Sequence, residues 1–338
     1  MIIISDCLTE KNDEGCLKVA SSLSKRLQAQ AGATIISFDR KPNYSDIHLK
    51  LNKLFLNPSL WKTIRKHSED VLYIPFASNT FASVIRTFVL SLVSMNKISV
   101  LFVLRFPMGK MTKFLLKLSR ARIIALSKES YNFYTEQIGQ RVLYLQTGID
   151  LAKFHPVREE EKRQLRGKYG IQKDKRVVLH VGHLKEGRNV DKLATIDLKY
   201  HVIVVVSSVT ESEKDANIRV LLKNRANTTL IEDYIPNIEE IYQMSDVYVF
   251  PVEKELNCID VPLSVLEAAA CNIPIVATRY GELKVFEGKD GFLFVDEISE
   301  MTLNKAIEAA VRMKECDVRS AVKVYDWAFS LEKLSALK

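Results

Sequence analysis

Short apolar, β-branched runs alternate with helical patterns along almost the whole chain, and the alternation restarts once. A rhythm of this kind specifies parallel sheets covered by helices on both faces, an α/β architecture. In the first half it predicts strands over Met1–Ser5, Ala33–Phe38, Asp70–Pro75, Ile98–Leu104, Ile123–Ser127 and Val142–Leu145. Helical patterns cover Leu17–Gln28, Phe81–Ser94, Met111–Ser119 and Ser130–Gln137. The second half predicts strands over Val177–Val181, His201–Ser207, Thr229–Ile231, Val247–Phe250, Ile275–Ala277 and Gly291–Phe294. The restart falls at "LQTGIDLAKFHP", where a Gly and a Pro frame a connector. With 338 residues, 47% of them hydrophobic, the chain can fill two cores. The expected domains are 1–147 and 157–317, joined by 148–156, with 318–338 forming one further helix.

Several function classes drop out. Cys7, Cys16, Cys258, Cys271 and Cys316 are odd in number and scattered, which fits a reducing compartment and no structural metal. The opening "MIIISD" has no basic segment before its apolar run and reads as a first strand. Phe81 to Met95, the most apolar helical stretch, is interrupted by Arg86 and is too short for a membrane span. Charge is uneven. Residues 1–150 hold 21 Lys or Arg against 11 Asp or Glu, whereas 151–338 hold 28 against 30, so the two halves face different partners.

The stretch "LHVGHLKEGRNVDKL" places Gly182 and Gly187 after an apolar strand, but Arg188 and Asn189 stand where a P-loop needs Lys and then Ser or Thr. No strand closes in a Walker-type Asp. Dinucleotide binding requires G-x-G-x-x-G after the first strand, and that turn has Gly15 alone.

Taken together, the second half resembles the donor-binding domain of retaining GT-B glycosyltransferases of the family 4 type. "TGIDLAKFHP" resembles the interdomain NGVDxxxFxP segment, and "VGHLKEGRN" resembles VGRLxxxKG. "DVPLSVLEAAACNIPIVATRYGE" resembles EGxPLxxLEAMACGxPVVATxxGG, and "DGFLF" and "FSLEKL" follow in the family's order. The match covers most of 141–338; over 1–140 only the strand–helix rhythm and the Gly15 turn agree. The resemblance implies two Rossmann-like domains facing across a cleft, with a last helix crossing back to the first domain. Cleft closure would keep water from the donor.

Residue by residue, the resemblance places His183 and Arg188 on the diphosphate of a nucleotide sugar. Arg188 keeps the charge of the family's Lys and adds a bidentate fork; His183 is largely neutral at pH 7. The helix entered at Pro262 offers the N–H groups of Leu263 and Ser264 to the same phosphates. Glu267 corresponds to the second Glu of the family's Glu-x7-Glu pair, which holds the ribose. The first Glu falls on Ile259, and Asp260 is the nearest substitute, with Glu253 and Glu255 upstream. Tyr234 lies where family members hold the base, and uracil and guanine both stay open. Asn272 replaces a Gly and tolerates left-handed backbone. Arg105 occupies the position of a His found beside the reacting sugar in many members, and can bind a phosphate but not act as a base.

Loss of that His does not exclude catalysis, because the resemblance implies that the leaving diphosphate takes the acceptor proton. The protein supplies neutralisation of developing charge, through Arg188, the Pro262 helix and His183. No metal or other cofactor is implied; the donor is a UDP- or GDP-sugar.

"RFPMGKMTKFLLKLSRAR", residues 105–122, holds six basic residues and no acidic one. Met111, Phe114, Leu115 and Leu118 form one helical stripe, opposite Lys113, Lys117 and Arg120. Such a helix either lies on an anionic membrane or packs its apolar stripe on its own sheet. The expectation is a cytoplasmic retaining hexosyltransferase, peripheral on the membrane, acting on a lipid-linked or membrane-associated glycan acceptor in cell-surface polysaccharide or glycolipid synthesis. No nucleic-acid recognition motif is present. The alternatives are a catalytically weak homologue acting as a nucleotide-sugar or membrane-binding partner subunit, and a GT-B sugar epimerase, against which the motif order argues.

Overall fold

A computed structural model describes residues 1–11, 14–38, 40–67, 70–95, 97–139, 141–185, 187–206, 213–254, 258–313 and 315–335. The chain divides into two compact units, one of 1–147 with 327–338 and the other of 148–326.

The first unit contains β1 (Ile2–Ser5), α1 (Gly15–Ala31), β2 (Thr34–Ser37), β3 (Ile47–His48), α2 (Pro58–His67), β4 (Val71–Ile74) and α3 (Phe81–Val93). It continues with β5 (Ile98–Phe102), α4 (Lys110–Leu118), β6 (Arg122–Ala125), α5 (Lys128–Ile138) and β7 (Val142–Tyr144). The strands pair in parallel in the order β3-β2-β1-β4-β5-β6-β7. Runs such as Ile2–Ile4 and Val71–Ile74 are buried along their whole length, as strands covered on both faces must be. Local chemistry sets the helix limits. Gly32, at φ 61°, stops α1, and its N–H donates to Gln28. The Thr80 and Ser127 side chains cap α3 and α5 by accepting from Ser83 and Ser130.

The second unit contains α6 (Glu159–Lys168), β8 (Val177–Gly182), β9 (His201–Val206), α7 (Glu213–Lys223), β10 (Thr228–Ile231), α8 (Ile238–Gln243) and β11 (Val247–Phe250). After these come α9 (Leu263–Ala270), β12 (Ile275–Ala277), β13 (Phe292–Phe294), α10 (Glu300–Arg312) and α11 (Val318–Val322). Its parallel sheet has the order β10-β9-β8-β11-β12-β13. Val178, Val202, Val204, Val247, Val249 and Val276 fill its core with Leu303 and Ile307 of α10.

The continuous helix predicted over 318–338, whose last three residues lie outside the described ones, is broken. α11 gives way to a 3-10 turn over Lys323–Tyr325, and the backbone extends at Asp326 before α12 (Trp327–Ser335). The break follows from pairing: Ile149 N–H donates to the Tyr325 carbonyl at 2.7 Å, and Ile149 bridges Asp326. α11 packs on α9 within the second unit, whereas α12 belongs to the first, where Ser330 Oγ donates to the Gln146 carbonyl at 2.6 Å.

Candidate functional site

In the second sheet the chain winds from β8 outward to β9 and β10, then returns to β11 beside β8. The two loops leaving the carboxyl ends of β8 and β11 therefore diverge at a topological switch point, where open α/β sheets bind ligands. His183, Arg188 and Asn189 lie on the first of these loops; Glu253, Ile259 and Asp260 lie on the second, which runs into α9.

The loop after β8 needs unusual backbone. Gly187 and Asn189 take φ of 83° and 55°, left-handed values suited to Gly and Asn. Asn189 then ties the loops together, its amide donating to the Pro251 carbonyl at 3.0 Å and to Glu253 Oε2 at 2.7 Å. Gly182 closes β8 where a Cβ would lie 3.0 Å from His180 Nε2 and 3.3 Å from an Arg188 guanidinium nitrogen. Both groups therefore converge on the bare backbone at Gly182. Arg188 is buried, and its charge reaches His180, Cys258 and Tyr280. His183 is half-buried in the same loop.

His180 was not picked out from the sequence, where it sits inside an apolar strand. Its Nδ1 bonds the Val249 carbonyl at 2.9 Å, so Nδ1 carries the hydrogen, and its buried Nε2 has no hydrogen-bond partner. Burial, with a smaller contribution from Arg188, pushes the ring down to about 4. An imidazole that titrates near 4 when folded and near its ordinary value of 6.5 when unfolded takes up its proton first in the unfolded state. Stability is thus full above 6.5 and falls as pH drops, by roughly 3 kcal/mol at pH 4. Urea unfolding at pH 7 and pH 4 should show that loss in the wild type, in excess of the loss in His180→Leu. Equal losses would mean that the ring is not the titrating group.

α9 begins after Pro262, whose extended backbone places it at the N-cap. Val265 and Leu266 N–H groups bond the Pro262 carbonyl, so the first two N–H groups, of Leu263 and Ser264, point out of the helix start. Tyr248, whose ring lies parallel to His180, shares a hydrogen bond with Ser264 and so links β11 to α9. One turn in, Glu267 is buried and its Oε2 accepts from the Tyr242 hydroxyl at 2.8 Å. Burial, then the Glu267 charge, raises the Tyr242 phenol well above its ordinary value, so it stays a donor. Phe154, from the connector, packs edge-on against Tyr242.

Ile259 is buried, with an apolar side chain at the position of the expected acid, and Asp260 beside it is half-buried. The Asp260 carbonyl accepts from Glu282 N–H at 3.0 Å. Glu253 is exposed and engaged by Asn189; Glu255 lies outside the described residues. Tyr234 is exposed in the loop after β10. Asn272 takes φ 59° and bonds more than a Gly could: its amide donates to the Cys316 carbonyl at 2.9 Å, and its Oδ1 accepts from Arg319 N–H at 3.1 Å. Arg319 in turn donates to the carbonyls of Leu151, Phe154 and Ala270.

In the first unit, Gly15 opens α1 and Arg105 follows β5, its guanidinium bonded to Glu129 at 2.6 Å. Asp6, also not picked out from the sequence, sits at the β1/β4 switch point, accepting from Phe76 N–H at 2.6 Å and Arg86 at 2.9 Å. Its only sequence signal is an acid directly after the first strand. Among the described residues, no group of three or more His, Cys, Asp or Glu is placed to hold a metal ion, and no helix is long and apolar enough to cross a membrane.

Residues 175–312 match the family model described as glycosyl transferases group 1. Over 170 residues the chain is 25% identical to the teichuronic acid biosynthesis glycosyltransferase TuaC of Bacillus subtilis, covering 48% of this chain and 40% of that protein. It is 20% identical over 146 residues to α-galactosylglucosyldiacylglycerol synthase of Streptococcus pneumoniae, covering 40% of this chain and 37% of that protein. The matches thus span well under half of these curated relatives. HepE of Anabaena in complex with UDP and glucose is similar in structure, with a TM-score of 0.75 and 14% identity over 99% of this chain and 98% of that chain. That likeness shows the fold, which is GT-B.

Proposed function

We propose, from the match of residues 175–312 to the glycosyl transferases group 1 model, that the protein is a retaining glycosyltransferase that moves a hexose from a UDP- or GDP-sugar to a lipid-linked or membrane-associated glycan acceptor. The observation that carries this reading is the convergence, at one switch point, of buried Arg188, the bare backbone of Gly182 and the start of α9, with Glu267 oriented one turn in. Arg188 and the N–H groups of Leu263 and Ser264 hold the diphosphate, and His183 adds a neutral hydrogen bond. Glu267 and Asp260 take the ribose hydroxyls, and Tyr234 takes the base. The bond from the anomeric carbon to the diphosphate breaks, the acceptor oxygen bonds that carbon from the same face, and its proton passes to the departing phosphate oxygen. Positive charge fixed in advance at the diphosphate favours that departure.

The first unit holds the acceptor. Arg105 meets an acceptor phosphate in exchange with Glu129, whereas Gly15, at the start of α1, serves the nucleotide sugar. HepE is described in complex with UDP, and the pneumococcal relative is a glycolipid synthase; both fit the proposed donor and acceptor classes. The working place is the cytoplasmic face of a membrane, with peripheral contact through residues 105–122.

Calorimetric titration of UDP and GDP into the wild type and Arg188→Ala tests the reading. One nucleotide should bind, and the substitution should weaken it by about 1.5–3 kcal/mol, the size of a hydrogen bond to a charged group. Binding of neither at millimolar concentration would sink the donor assignment. The buried Ile259 favours a second reading, a partner subunit that binds donor without transferring sugar; turnover of a bound donor with a membrane extract separates the two.

A further inference from the structure

The outward face of α3 runs against what a sheet-covering helix normally presents. Its only charged residue, Arg86, turns inward: one nitrogen bonds Asp6 at 2.9 Å, another bonds the Lys53 carbonyl at 2.8 Å, and the guanidinium covers the Phe55 ring. Hydroxyl side chains occupy much of the buried face and are satisfied locally. Ser83 donates to the Ala77 carbonyl, Thr87 to Ser83 and Ser91 to Phe88. Val84, Leu90 and Val93 share that buried face, while Phe81 and Leu92 are left outside. α4, packed beside α3, also carries apolar residues on both sides: Leu116 is buried in the core with Thr112 beside it, while Met111, Phe114 and Leu118 face out. Phe81, Leu92 and Met95 at the α3 end of this surface and Met111, Phe114 and Leu118 on α4 are 50% to 69% exposed.

Charge identifies what covers this surface. Residues 71–128 hold nine Lys or Arg and no Asp or Glu. Lys97, Lys110, Lys117 and Arg120, all exposed, border the apolar residues. A second copy of the chain pairing through the same face would set this positive field against itself. A bilayer rich in anionic phospholipid offers both things the surface lacks: hydrocarbon at the depth of the apolar side chains and negative charge at the level of the lysines. We infer that the α3–α4 face is an interfacial docking surface that lies on anionic lipid, with Leu92, Met95, Met111, Phe114 and Leu118 entering the headgroup–acyl boundary. This deepens the membrane contact of the proposed function by adding α3 and naming the lipid class, and it does not depend on sugar transfer.

Co-sedimentation of the full chain with vesicles tests it. Binding to phosphatidylglycerol–phosphatidylcholine vesicles should exceed binding to phosphatidylcholine alone by at least about tenfold, since each basic residue near an anionic surface contributes about fivefold. Leu92→Ser with Phe114→Ser keeps every charge and should lower binding to the anionic vesicles about tenfold or more. Lys113→Glu with Lys117→Glu should abolish the preference for anionic lipid. UDP or GDP affinity, read on the second unit, should be unchanged in all variants, so a failed donor reading and a failed docking surface are told apart. Three outcomes overturn the inference: equal binding to both vesicle types, full binding by the Leu92→Ser/Phe114→Ser protein, or an oligomer in lipid-free buffer that this variant dissociates.

Discussion

Asp246→Ala is expected to destabilise the second unit by roughly 3–5 kcal/mol, the loss typical of breaking a buried ion pair from one side. The residue precedes β11 and is buried with Arg166. Its carboxylate accepts from Arg166 at 2.6 Å, from Val177 N–H at 2.7 Å and from Arg176 at 3.1 Å, with Lys162 also at 3.1 Å. Arg166 is fixed by further bonds to the carbonyls of Met244 and Lys173, so it cannot follow the lost partner into water. Burial pushes the Asp246 carboxyl up, but Lys162 and Arg166 outweigh it and hold the group below its ordinary value. The sign follows. This contribution is complete above the unfolded carboxyl's pKa of about 3.9 and disappears as pH falls through the lower folded value. Urea unfolding of Asp246→Ala and of Asp246→Ala with Arg166→Met checks the origin. The second change removes the stranded cation and should restore part of the loss. A single variant within about 1 kcal/mol of wild type would mean that the cluster is solvated and structurally idle.

How far the sequence could be read depends on the range of the interactions that decide each element. Strands such as Val71–Ile74 and Val247–Phe250 were legible because parallel strands buried on both faces are continuous apolar runs. β3 escaped notice because two residues, Ile47 and His48, make no pattern and are held by pairing with Ile36 and Ser37. α2 escaped because Leu60 and Ile64 are its only buried residues, too few to stand out as a period. Helical periodicity placed Met111, Phe114 and Leu118 on one stripe correctly, but a period states only that a face exists. Which way the face turns was decided by Leu116, Thr112 and the neighbouring α3.

The same limit applies at the site. The β8 loop and the Pro262 helix entry were legible as local structure because Gly187, Asn189 and Pro262 each answer a backbone need that leaves a residue type behind. The grip of Asn189 on Pro251 and Glu253, and the approach of His180 to Gly182, join positions more than sixty residues apart or depend on side-chain direction. No local pattern encodes them. Asp246 was invisible for the same reason, since its partners come from α6 and from the start of β8.

Gly281→Ala should bind the donor nucleotide at least about tenfold more weakly and destabilise the second unit by roughly 2–4 kcal/mol, the sum of left-handed strain and backbone overlap. Gly281 has φ 51°, and a Cβ there would overlap the Asp260 carbonyl oxygen, with the Asp260 Cα at 3.2 Å. Backbone cannot swing aside as a side chain can, so the donor loop itself must move. On either side of the glycine the contacts are tight. The Tyr280 hydroxyl donates to the Cys258 carbonyl at 2.6 Å and accepts from its N–H at 2.9 Å, while Glu282 N–H holds the Asp260 carbonyl. Displacing Asp260 by about an ångström breaks that last bond and withdraws the carboxylate proposed to hold the ribose, a misplacement of a size that can cost a hundredfold in a positioned site. Gly288→Ala is the matched control. Gly288 has φ 75°, and a Cβ there would meet nothing within 4 Å, so it carries the strain without the overlap, about 1–2 kcal/mol. Urea unfolding and UDP or GDP titration of both variants separate the two effects. Equal losses of stability would remove the close approach from the argument. A destabilised Gly281→Ala protein with unchanged nucleotide affinity would take Asp260 out of the ribose pocket and leave Glu267, held by Tyr242, as the remaining acid of the pair.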